Sequence, residues 1–291
     1  MKINEMSPNA HNFTEKLGDI SKPPERLYYL GELPDISTRH TISIVGTRKP
    51  SSYGKEVTYT LAFELAKRGF VIVSGLALGV DSIAHQAALD AGGTTVAVIA
   101  TPLPEIYPRT NLQLAKKIVS HGGAVISESK EGDTLPMGKF SFLMRNRLVS
   151  GLGEGLVITE AAARSGTLNT AAHALNQGRE VVVVPGHITS PLSAGCNNLL
   201  KQGAAPVTEI ADILQIIAPE LTQQHNTQVL LPLGDTPAEN TILELIASGM
   251  RDGEELQRSS KLAAADFATA LTMLEINGHI RPLGANHWAI R

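Results

Sequence analysis

The segment Ile42-Ser43-Ile44-Val45-Gly46-Thr47-Arg48 joins a short apolar run to a glycine turn and a cation, and related segments recur along the chain. One is Val71-Ile72-Val73-Ser74-Gly75, and another is Leu156-Val157-Ile158-Thr159-Glu160. Each run is apolar almost throughout, as is typical of a strand that is covered on both faces of a sheet. Further runs of this kind lie at residues 96–99, 124–126 and 181–184.

Helix-length segments separate these runs. Val57, Leu61 and Leu65 recur every four residues, and Gly69 follows as a stop signal. Residues 81–91, 111–121 and 168–177 form similar segments. The alternation predicts an α/β fold with a Rossmann-like, doubly wound, mostly parallel sheet. Such sheets bind ligands beyond the carboxyl ends of their strands, so we expect functional residues just after each strand.

Composition narrows the class of protein. The chain has 291 residues, of which 43% are apolar and 18% charged, so it is long enough to bury a substantial core. Only 4% of the residues are aromatic, which argues against an RNA-binding sheet that stacks bases on several rings. Twenty-five basic against 28 acidic residues give a net charge of −3, which excludes a wholly basic surface but not a local basic groove.

The sequence predicts neither a disulfide, metal or cofactor site nor a secreted or membrane-spanning protein. The single cysteine, Cys196, excludes an internal disulfide framework, and it is interpreted as a small buried residue. The nine histidines show no metal-ligand spacing, and no metal, cofactor or catalytic residue is predicted. The first residues lack the apolar core of a secretory signal, and no apolar stretch is long enough to span a membrane, so we expect a cytoplasmic protein.

The chain is expected to divide into four parts. Residues 1–22 are interpreted as an N-terminal tail, 23–220 as the Rossmann-like domain, 221–237 as a linker and 238–291 as a small C-terminal domain. Within the last part, helical segments at 241–247, 253–257 and 262–276 precede an alternating stretch that turns near Gly284. Three helices followed by a hairpin predict a winged helix.

Three glycine- or hydroxyl-containing turns follow the predicted strands. They are Gly46-Thr47-Arg48-Lys49-Pro50-Ser51, Ser74-Gly75-Leu76-Ala77-Leu78-Gly79 and Ser165-Gly166-Thr167. Each is expected to precede a helix, whose free N–H groups attract an anion, so together they predict a phosphate-binding edge. Asp81 and His85 lie one helical turn apart, and they are interpreted as a helix cap and a satisfied histidine rather than an acid–base pair.

A basic and aromatic segment precedes the strand at 156–158. Lys139-Phe140-Ser141-Phe142-Leu143-Met144-Arg145-Asn146-Arg147 combines cations with rings that are able to stack on bases. Residues 39–70 add a local charge of +4, from six basic and two acidic side chains. We therefore expect a basic edge on a net acidic protein.

These blocks, at this spacing, resemble the DNA-processing protein A (DprA/Smf) family over residues 23–215. The resemblance rests on Gly46-Thr47-Arg48, Ser51-x-Tyr53-Gly54, Ser74-Gly75-Leu76-Ala77-x-Gly79-Val80-Asp81, Ile106-Tyr107-Pro108, Arg145-Asn146-Arg147, Ser165-Gly166-Thr167-Leu168 and Pro185-Gly186. The C-terminal part is similar to the winged helix that many members carry.

The resemblance implies a non-enzymatic protein that binds single-stranded DNA, protects incoming strands and helps to load the RecA recombinase during natural transformation. It also implies a homodimer formed through the Rossmann-like domain. The family's pocket maps onto the turn at Gly46 and the segment 142–147. With the turns above, the expected DNA-binding residues are Gly46, Thr47, Arg48, Lys49, Ser51, Gly75, Ala77, Gly79, Lys139, Phe142, Arg145, Asn146, Arg147, Ser165, Gly166 and Thr167.

The sequence departs from the family pattern at three places. Leu143 replaces a proline, and Met144 stands where some members carry a pocket lysine, for which Lys139 is the candidate substitute. The first twenty-odd residues leave no room for the sterile-alpha-like domain of longer members.

The winged-helix part, residues 235–291, has five basic and eight acidic residues, and its third helix contains no Lys or Arg. We therefore expect this part to contact protein or to modulate assembly, and to bind DNA weakly if at all.

Two other functions use the same turns. One is a nucleotide phosphoribohydrolase, whose motif Pro-Gly-Gly-x-Gly-Thr-x-x-Glu aligns with Gly166-Thr167 but places Thr170 where the catalytic carboxylate belongs. Glu160 is the nearest alternative carboxylate. The other is a nucleotide sensor, which differs from a strand binder in that its affinity does not rise with oligonucleotide length.

Overall fold

A computed structural model describes residues 2–133, 138–224, 234–284 and 286–290. The strands are β1 Asn4–Met6, β2 Leu27–Gly31, β3 Thr41–Val45, β4 Val71–Ser74, β5 Thr95–Val98, β6 Ala124–Ser127, β7 Gly155–Ile158, β8 Glu180–Val183, β9 Ala205–Pro206, β10 Ile280–Gly284 and β11 His287–Ile290. The helices are α1 Asn12–Glu15, α2 Ser52–Lys67, α3 Val80–Asp90, α4 Leu112–Ser120, α5 Lys139–Leu152, α6 Gly166–Asn176, α7 Ala194–Lys201, α8 Ile210–Ile217, α9 Pro219–Gln224, α10 Pro237–Ala247, α11 Gly253–Ser260 and α12 Ala264–Ile276.

Nine strands form one sheet in the order β1-β2-β6-β5-β4-β3-β7-β8-β9. From β6 to β9 all neighbours are parallel, and β2 and β1 add an antiparallel margin. After β3 the chain continues to β4 on one side, and it later returns to place β7 on the other side. The switch point therefore lies between β3 and β7, and the predicted Rossmann-like fold is confirmed.

Successive residues of each central strand pack into different layers, as the pleat requires. Ile42 and Ile44 contribute to a core under α2, α3 and α8. Val45 contributes to the opposite core, which includes side chains of α5, α6 and α7. All five residues of β3 are buried. The uninterrupted apolar runs in the sequence thus reflect a sheet that is covered on both faces.

The N-terminal residues differ from the expected tail. β1 pairs with β2, and the side chains of Phe13 and Leu17 are fully buried in the core beneath the sheet. The Thr14 hydroxyl donates to the Pro8 carbonyl at 2.6 Å, which holds this segment in a compact turn. Residues 2–22 are therefore part of the first unit. Sequence periodicity missed them because β1 and α1 are only three and four residues long.

Close contacts divide the chain into two units, residues 1–221 and 222–291. In the second unit, α10, α11 and α12 surround a core that includes Ile242, Leu243, Leu256 and Leu274. β10 and β11 pair in antiparallel fashion after α12. This order of three helices and a hairpin confirms the predicted winged helix. Residues 225–233, within the expected linker, lie outside the described part of the chain.

Candidate nucleic-acid interface

A cavity of about 650 Å³ opens at the carboxyl ends of β3, β4 and β7, beside the first half of α5. It occupies the switch point of the sheet, where a doubly wound fold binds its ligands. Eleven of the expected DNA-binding residues line it: Gly46, Thr47, Arg48, Gly75, Ala77, Phe142, Arg145, Asn146, Ser165, Gly166 and Thr167. The three predicted turns and the basic segment therefore meet at one place.

Arg48, which is exposed, and Phe142, which is half-buried, lie together in the lining of this cavity. The Arg48 guanidinium lies over the Phe142 ring, 5.6 Å from its centroid, and the Arg48 side chain is exposed. The Tyr107 ring also packs against Phe142, with the two ring centroids 5.8 Å apart and the rings tilted by 56°. The pair also borders a smaller recess of about 50 Å³ next to Tyr107 and Leu78. A cation held over an aromatic ring offers both a phosphate contact and a stacking surface.

The Asp81 carboxylate organises the second turn. Its Oδ2 accepts hydrogen bonds from the amides of Gly75, at 3.1 Å, and Ala77, at 3.3 Å. Gly79, with φ of 80°, occupies the N-cap position of α3, so the expectation that Asp81 caps this helix was wrong. Asp81 lies in the first turn and reaches back to the preceding loop. The backbone donors expected to hold a phosphate here are bonded to a protein carboxylate.

Arg145 is buried beside Asp81. Its Nη1 donates to the Gly75 carbonyl at 2.6 Å and also to the Val98 carbonyl. Burial lowers the pKa of Arg145 to about 10, which still leaves the guanidinium charged at neutral pH. Burial raises the pKa of Asp81, while Arg145 and the two amides act in the opposite direction. Asp81 and Arg145 therefore make the inner wall of the cavity polar.

The first turn differs from the expectation because its helix start is occupied. The Glu160 carboxylate accepts hydrogen bonds from the Ser51 amide and the Ser51 hydroxyl, both at 2.8 Å. The same hydroxyl accepts from the Gly54 amide and so caps α2. Ser51 does not line the cavity, and an internal carboxylate already neutralises the positive end of α2.

The third turn is the most open of the three. The Ser165 hydroxyl caps α6 by accepting from the Thr167 amide at 3.1 Å. Gly166 is exposed, and a Cβ atom there would meet nothing within 4 Å. Asn146 reaches across from α5 and donates to Asn169 at 3.2 Å, so α5 and α6 are joined beside the opening. An incoming anion has direct access to the start of α6.

Arg147 is an expected DNA-binding residue that the structure places away from the cavity. Its side chain is 4% exposed and does not line the cavity. Nη1 and Nη2 donate to the two oxygens of Glu128, each at 2.6 Å, and Nε donates to the Lys22 carbonyl at 2.8 Å. This guanidinium is fully engaged in holding α5 to the segments at Lys22 and Glu128. The sequence did not reveal this ion pair, because Glu128 is 19 residues away from Arg147 along the chain, and the contact of Arg147 with DNA stays a prediction.

Two further expected residues, Lys49 and Gly79, are not part of the cavity lining. Lys49 is exposed, but it is not part of the lining. Gly79 supports the site indirectly, since a Cβ atom there would lie 2.5 Å from the Thr47 carbonyl oxygen. Its positive φ and this close approach explain the glycine. The side chain of Lys139, the candidate replacement for the pocket lysine, is outside the described part of the structure.

Eight residues that line the cavity were not among the expected DNA-binding residues, and they include Ala162, Arg164 and Thr170. Arg164 is the most important of them, because it is an exposed cation directly before the open turn of α6. Its position next to Ser165-Gly166-Thr167 was the available signal. Tyr107 was noticed only as part of a motif, although its ring packs against Phe142.

Two other side chains take no part in the cavity. His85 is fully buried, its Nδ1 lies 2.6 Å from the Thr95 hydroxyl, and burial lowers its pKa to about 3. It is therefore neutral, but the expectation of a satisfied histidine holds only for Nδ1, because Nε2 is buried without a hydrogen-bond partner. Cys196 is buried as predicted, and burial raises the pKa of its thiol to about 11.

No metal centre or membrane span is found in the described ranges. There, His, Cys, Asp and Glu side chains do not form any group of three suited to a metal ion. Among the same residues, every helix is too short or too polar to cross a bilayer.

The fold and the cavity define a Rossmann-like α/β protein with a cavity at the switch point of its sheet, followed by a winged-helix unit. The family model described as DNA recombination-mediator protein A matches residues 5–218, and the DprA winged helix domain matches residues 228–286. The chain belongs to this recombination-mediator family, in agreement with the resemblance seen in its sequence.

Individual relatives agree with this assignment. The DNA processing protein DprA of Bacillus subtilis is 40% identical over 223 residues, which are 77% of this chain and 74% of the relative. Protein Smf of Escherichia coli is 43% identical over 192 residues, covering 66% of this chain but only half of the relative.

Two solved structures are similar over three quarters of the chain. DprA from Streptococcus pneumoniae has a TM-score of 0.67 and 37% identity, and the match covers 75% of each chain. DprA from Helicobacter pylori has a TM-score of 0.66 and 34% identity, and the match covers 77% of this chain and 97% of that one. The Helicobacter protein was described for its unique single-stranded DNA binding mode.

The ion pair of Arg147 leads to a prediction about stability. Arg147→Ala leaves the Glu128 carboxylate without its partner, so the free energy of unfolding should fall by about 3 kcal/mol. Urea unfolding at neutral pH measures this change. Arg164→Ala is the matched control, and because its side chain is exposed, its effect should stay within about 0.5 kcal/mol. Unchanged stability in Arg147→Ala, together with weaker DNA binding, would contradict this structural role.

Proposed function

We propose that the chain binds single-stranded DNA in the cavity at the switch point, and that it acts there as a recombination mediator without catalysing a reaction. One observation carries this proposal. An exposed guanidinium, Arg48, lies over the ring of Phe142 at the mouth of a large open cavity. Strand-binding proteins combine cations that follow the backbone with rings on which bases stack.

The distribution of charge supports a division of roles within the cavity. Asp81 and Arg145 are buried, and their charges are opposite. Arg48 and Arg164 are exposed, whereas Asp81 is buried, and Arg48 opposes in part the rise of the Asp81 pKa that burial causes. Phosphates are therefore favoured at the outer edge, near Arg48, Arg164 and the open turn at Gly166. The Phe142 ring lies next to this edge and is placed to stack on a base.

Relatives support the same proposal. The chain belongs to the recombination-mediator family over 5–218, the part that forms the sheet and the cavity. The Helicobacter relative, described as a single-stranded DNA binder, is 34% identical and has the same fold over three quarters of this chain. Binding of DNA by this chain is an inference from that relationship and from the arrangement of Arg48 and Phe142.

Two features favour a binding role over hydrolysis. Thr170 lines the cavity at the position where the phosphoribohydrolase motif would place its catalytic carboxylate. Glu160, the nearest alternative, is 3% exposed and bonded to Ser51, and it does not line the cavity. An oxocarbenium-like transition state in this cavity would therefore lack the carboxylate that the motif supplies.

Length dependence distinguishes a strand binder from a nucleotide sensor. We expect affinity to rise from thymidine monophosphate to long oligothymidine and to fall steeply with salt, because each phosphate contact releases counterions. Fluorescence anisotropy over a series of oligonucleotide lengths and salt concentrations measures both effects. A duplex of equal length is the control and should bind more weakly. Equal affinity for mononucleotide and long strand, without salt dependence, would instead indicate a sensor.

Arg48→Ala should weaken oligothymidine binding by at least about tenfold, and it should reduce the salt slope by roughly one. The reason is that this change removes an exposed cation and leaves the buried network of Asp81 and Arg145 in place. Anisotropy titrations at several salt concentrations provide the measurement, and thermal melting checks that the fold is retained.

Lys116→Ala is the matched control for this variant. Lys116 is an exposed cation on α4 that does not line the cavity, so the change in net charge is the same. Its affinity should stay within about twofold of the original chain, since only a general electrostatic effect is altered. If the two variants lose affinity equally, the binding is due to overall charge and the cavity is not the site.

Loading of the RecA recombinase and formation of a homodimer are further parts of this proposal, supported by membership of the recombination-mediator family. Exposed apolar side chains outside the cavity, such as Leu175 and Ile188, offer contact surface for protein partners.

We expect the chain to speed the onset of RecA ATPase activity on strands coated with single-strand-binding protein, and we expect the Arg48→Ala variant to speed it less. No acceleration by the original chain would contradict the mediator role. Light scattering on the same sample measures whether the chain is a dimer.

A further inference from the structure

The third helix of the winged-helix unit, α12, has one buried side and one exposed side. Phe267, Ala270 and Leu274 point into the core of the unit. On the opposite side lie six exposed residues, which we call the α12 outer face: Ala265, Ala268, Thr269, Thr272, Met273 and Ile276. Their spacing of three and four residues places them on one continuous surface of the helix.

The α12 outer face is apolar even where its residues carry hydroxyl groups. The Thr269 hydroxyl donates to the Ala265 carbonyl at 2.9 Å, and the Thr272 hydroxyl donates to the Ala268 carbonyl at 2.8 Å. Both hydroxyls are thus satisfied within the helix, and the threonines contribute methyl groups to the surface. Ile276 is 70% exposed and Met273 is 40% exposed. Together with the alanines and the threonine methyl groups they form one continuous apolar strip, and contiguous apolar patches mark interaction sites more often than single exposed apolar residues do.

Charges at the borders indicate the chemistry of that partner. Asp266 and Glu275 are exposed on the two sides of the α12 outer face, and the helix contains no Lys or Arg. In a winged helix that reads duplex DNA, the third helix enters the major groove and contacts bases and phosphates. Carboxylates and internally bonded hydroxyls are unsuited to that task, since the phosphates repel them and the bases need free donors.

We propose that the α12 outer face binds an amphipathic helix of another protein, whose apolar side is bordered by Lys or Arg. Apolar burial along Thr272, Met273 and Ile276 supplies the attraction, and Asp266 and Glu275 pair with the basic borders. A second copy of this unit is a poor occupant, because residues 235–291 carry a net charge of −3 and two copies bring like charges together. This inference is independent of the DNA site, which lies in the first unit.

The test uses the full chain and a synthetic helical peptide of leucine and lysine with one apolar face. A peptide of the same pattern, with glutamate in place of lysine, is the control. We expect micromolar binding of the Leu/Lys peptide and no binding of the Leu/Glu peptide, measured by fluorescence anisotropy. Ile276→Glu should weaken the Leu/Lys complex by at least about tenfold, since an isoleucine side chain is no longer buried.

Ser259→Glu is the matched control, because it adds the same charge at an exposed position of α11. Unspecific attraction of a basic peptide would respond equally to both added carboxylates, whereas our proposal requires that only Ile276→Glu lose affinity. Ala268→Glu provides a second variant of the face, and thermal melting checks each fold. The double change Asp266→Lys and Glu275→Lys should reverse the preference, so that the Leu/Glu peptide binds better than the Leu/Lys peptide.

Several outcomes would overturn the proposal. They are no binding of the Leu/Lys peptide, equal effects of Ile276→Glu and Ser259→Glu, and an unchanged peptide preference after the charge reversal. Salt-sensitive duplex binding that Ile276→Glu abolishes and Ser259→Glu preserves would assign the face to DNA. Self-association that Ile276→Glu abolishes and Ser259→Glu preserves would assign the α12 outer face to a second copy of the chain.

Discussion

The site depends on the burial of two opposite charges around Gly75. A Cβ atom on this residue would lie 2.7 Å from Asp81 Oδ2 and 2.8 Å from the Arg145 guanidinium, so glycine is required for both side chains to be there. Asp81 binds the amides of the loop after β4, and Arg145 binds the carbonyls of Gly75 and Val98. The network therefore connects α3, α5 and the ends of β4 and β5. It gives the cavity a rigid inner wall against which the exposed Arg48 and Phe142 are positioned.

Much of the fold was predictable because the parallel strands are buried on both faces. Their apolar runs stand out from the amphipathic helices between them, and the same contrast revealed the winged helix. The antiparallel margin was not predicted, since β1 is three residues long and β2, Leu27–Gly31, has no adjoining helix pattern. Short elements of this kind are stabilised by pairing and by burial of Phe13 and Leu17, neither of which leaves a periodic signal.

The position of the site was also predictable, but the roles of its charged residues were not. Arg48, Arg145 and Arg147 look equivalent in the sequence, yet one is exposed, one is buried beside Asp81 and one is paired with Glu128. The difference arises from partners that are distant along the chain. Likewise, Ser51 was expected to face a ligand, but Glu160, 109 residues away, occupies that helix start. Charge in a motif therefore predicts a site better than it predicts which atoms are free to bind.

The short strand β1 has a consequence for how the sheet ends. It covers one edge of β2, while β6 covers the other. A fragment trimmed to start near residue 23 would leave the main-chain groups of β2 unpaired on that side and uncover the apolar cavity filled by Phe13 and Leu17. An exposed edge strand has unpaired N–H and C=O groups that can pair with a strand of another chain. The first residues thus protect the edge of β2 with a strand of only three residues. Versions of the protein that lack them would be prone to aggregate through this exposed edge.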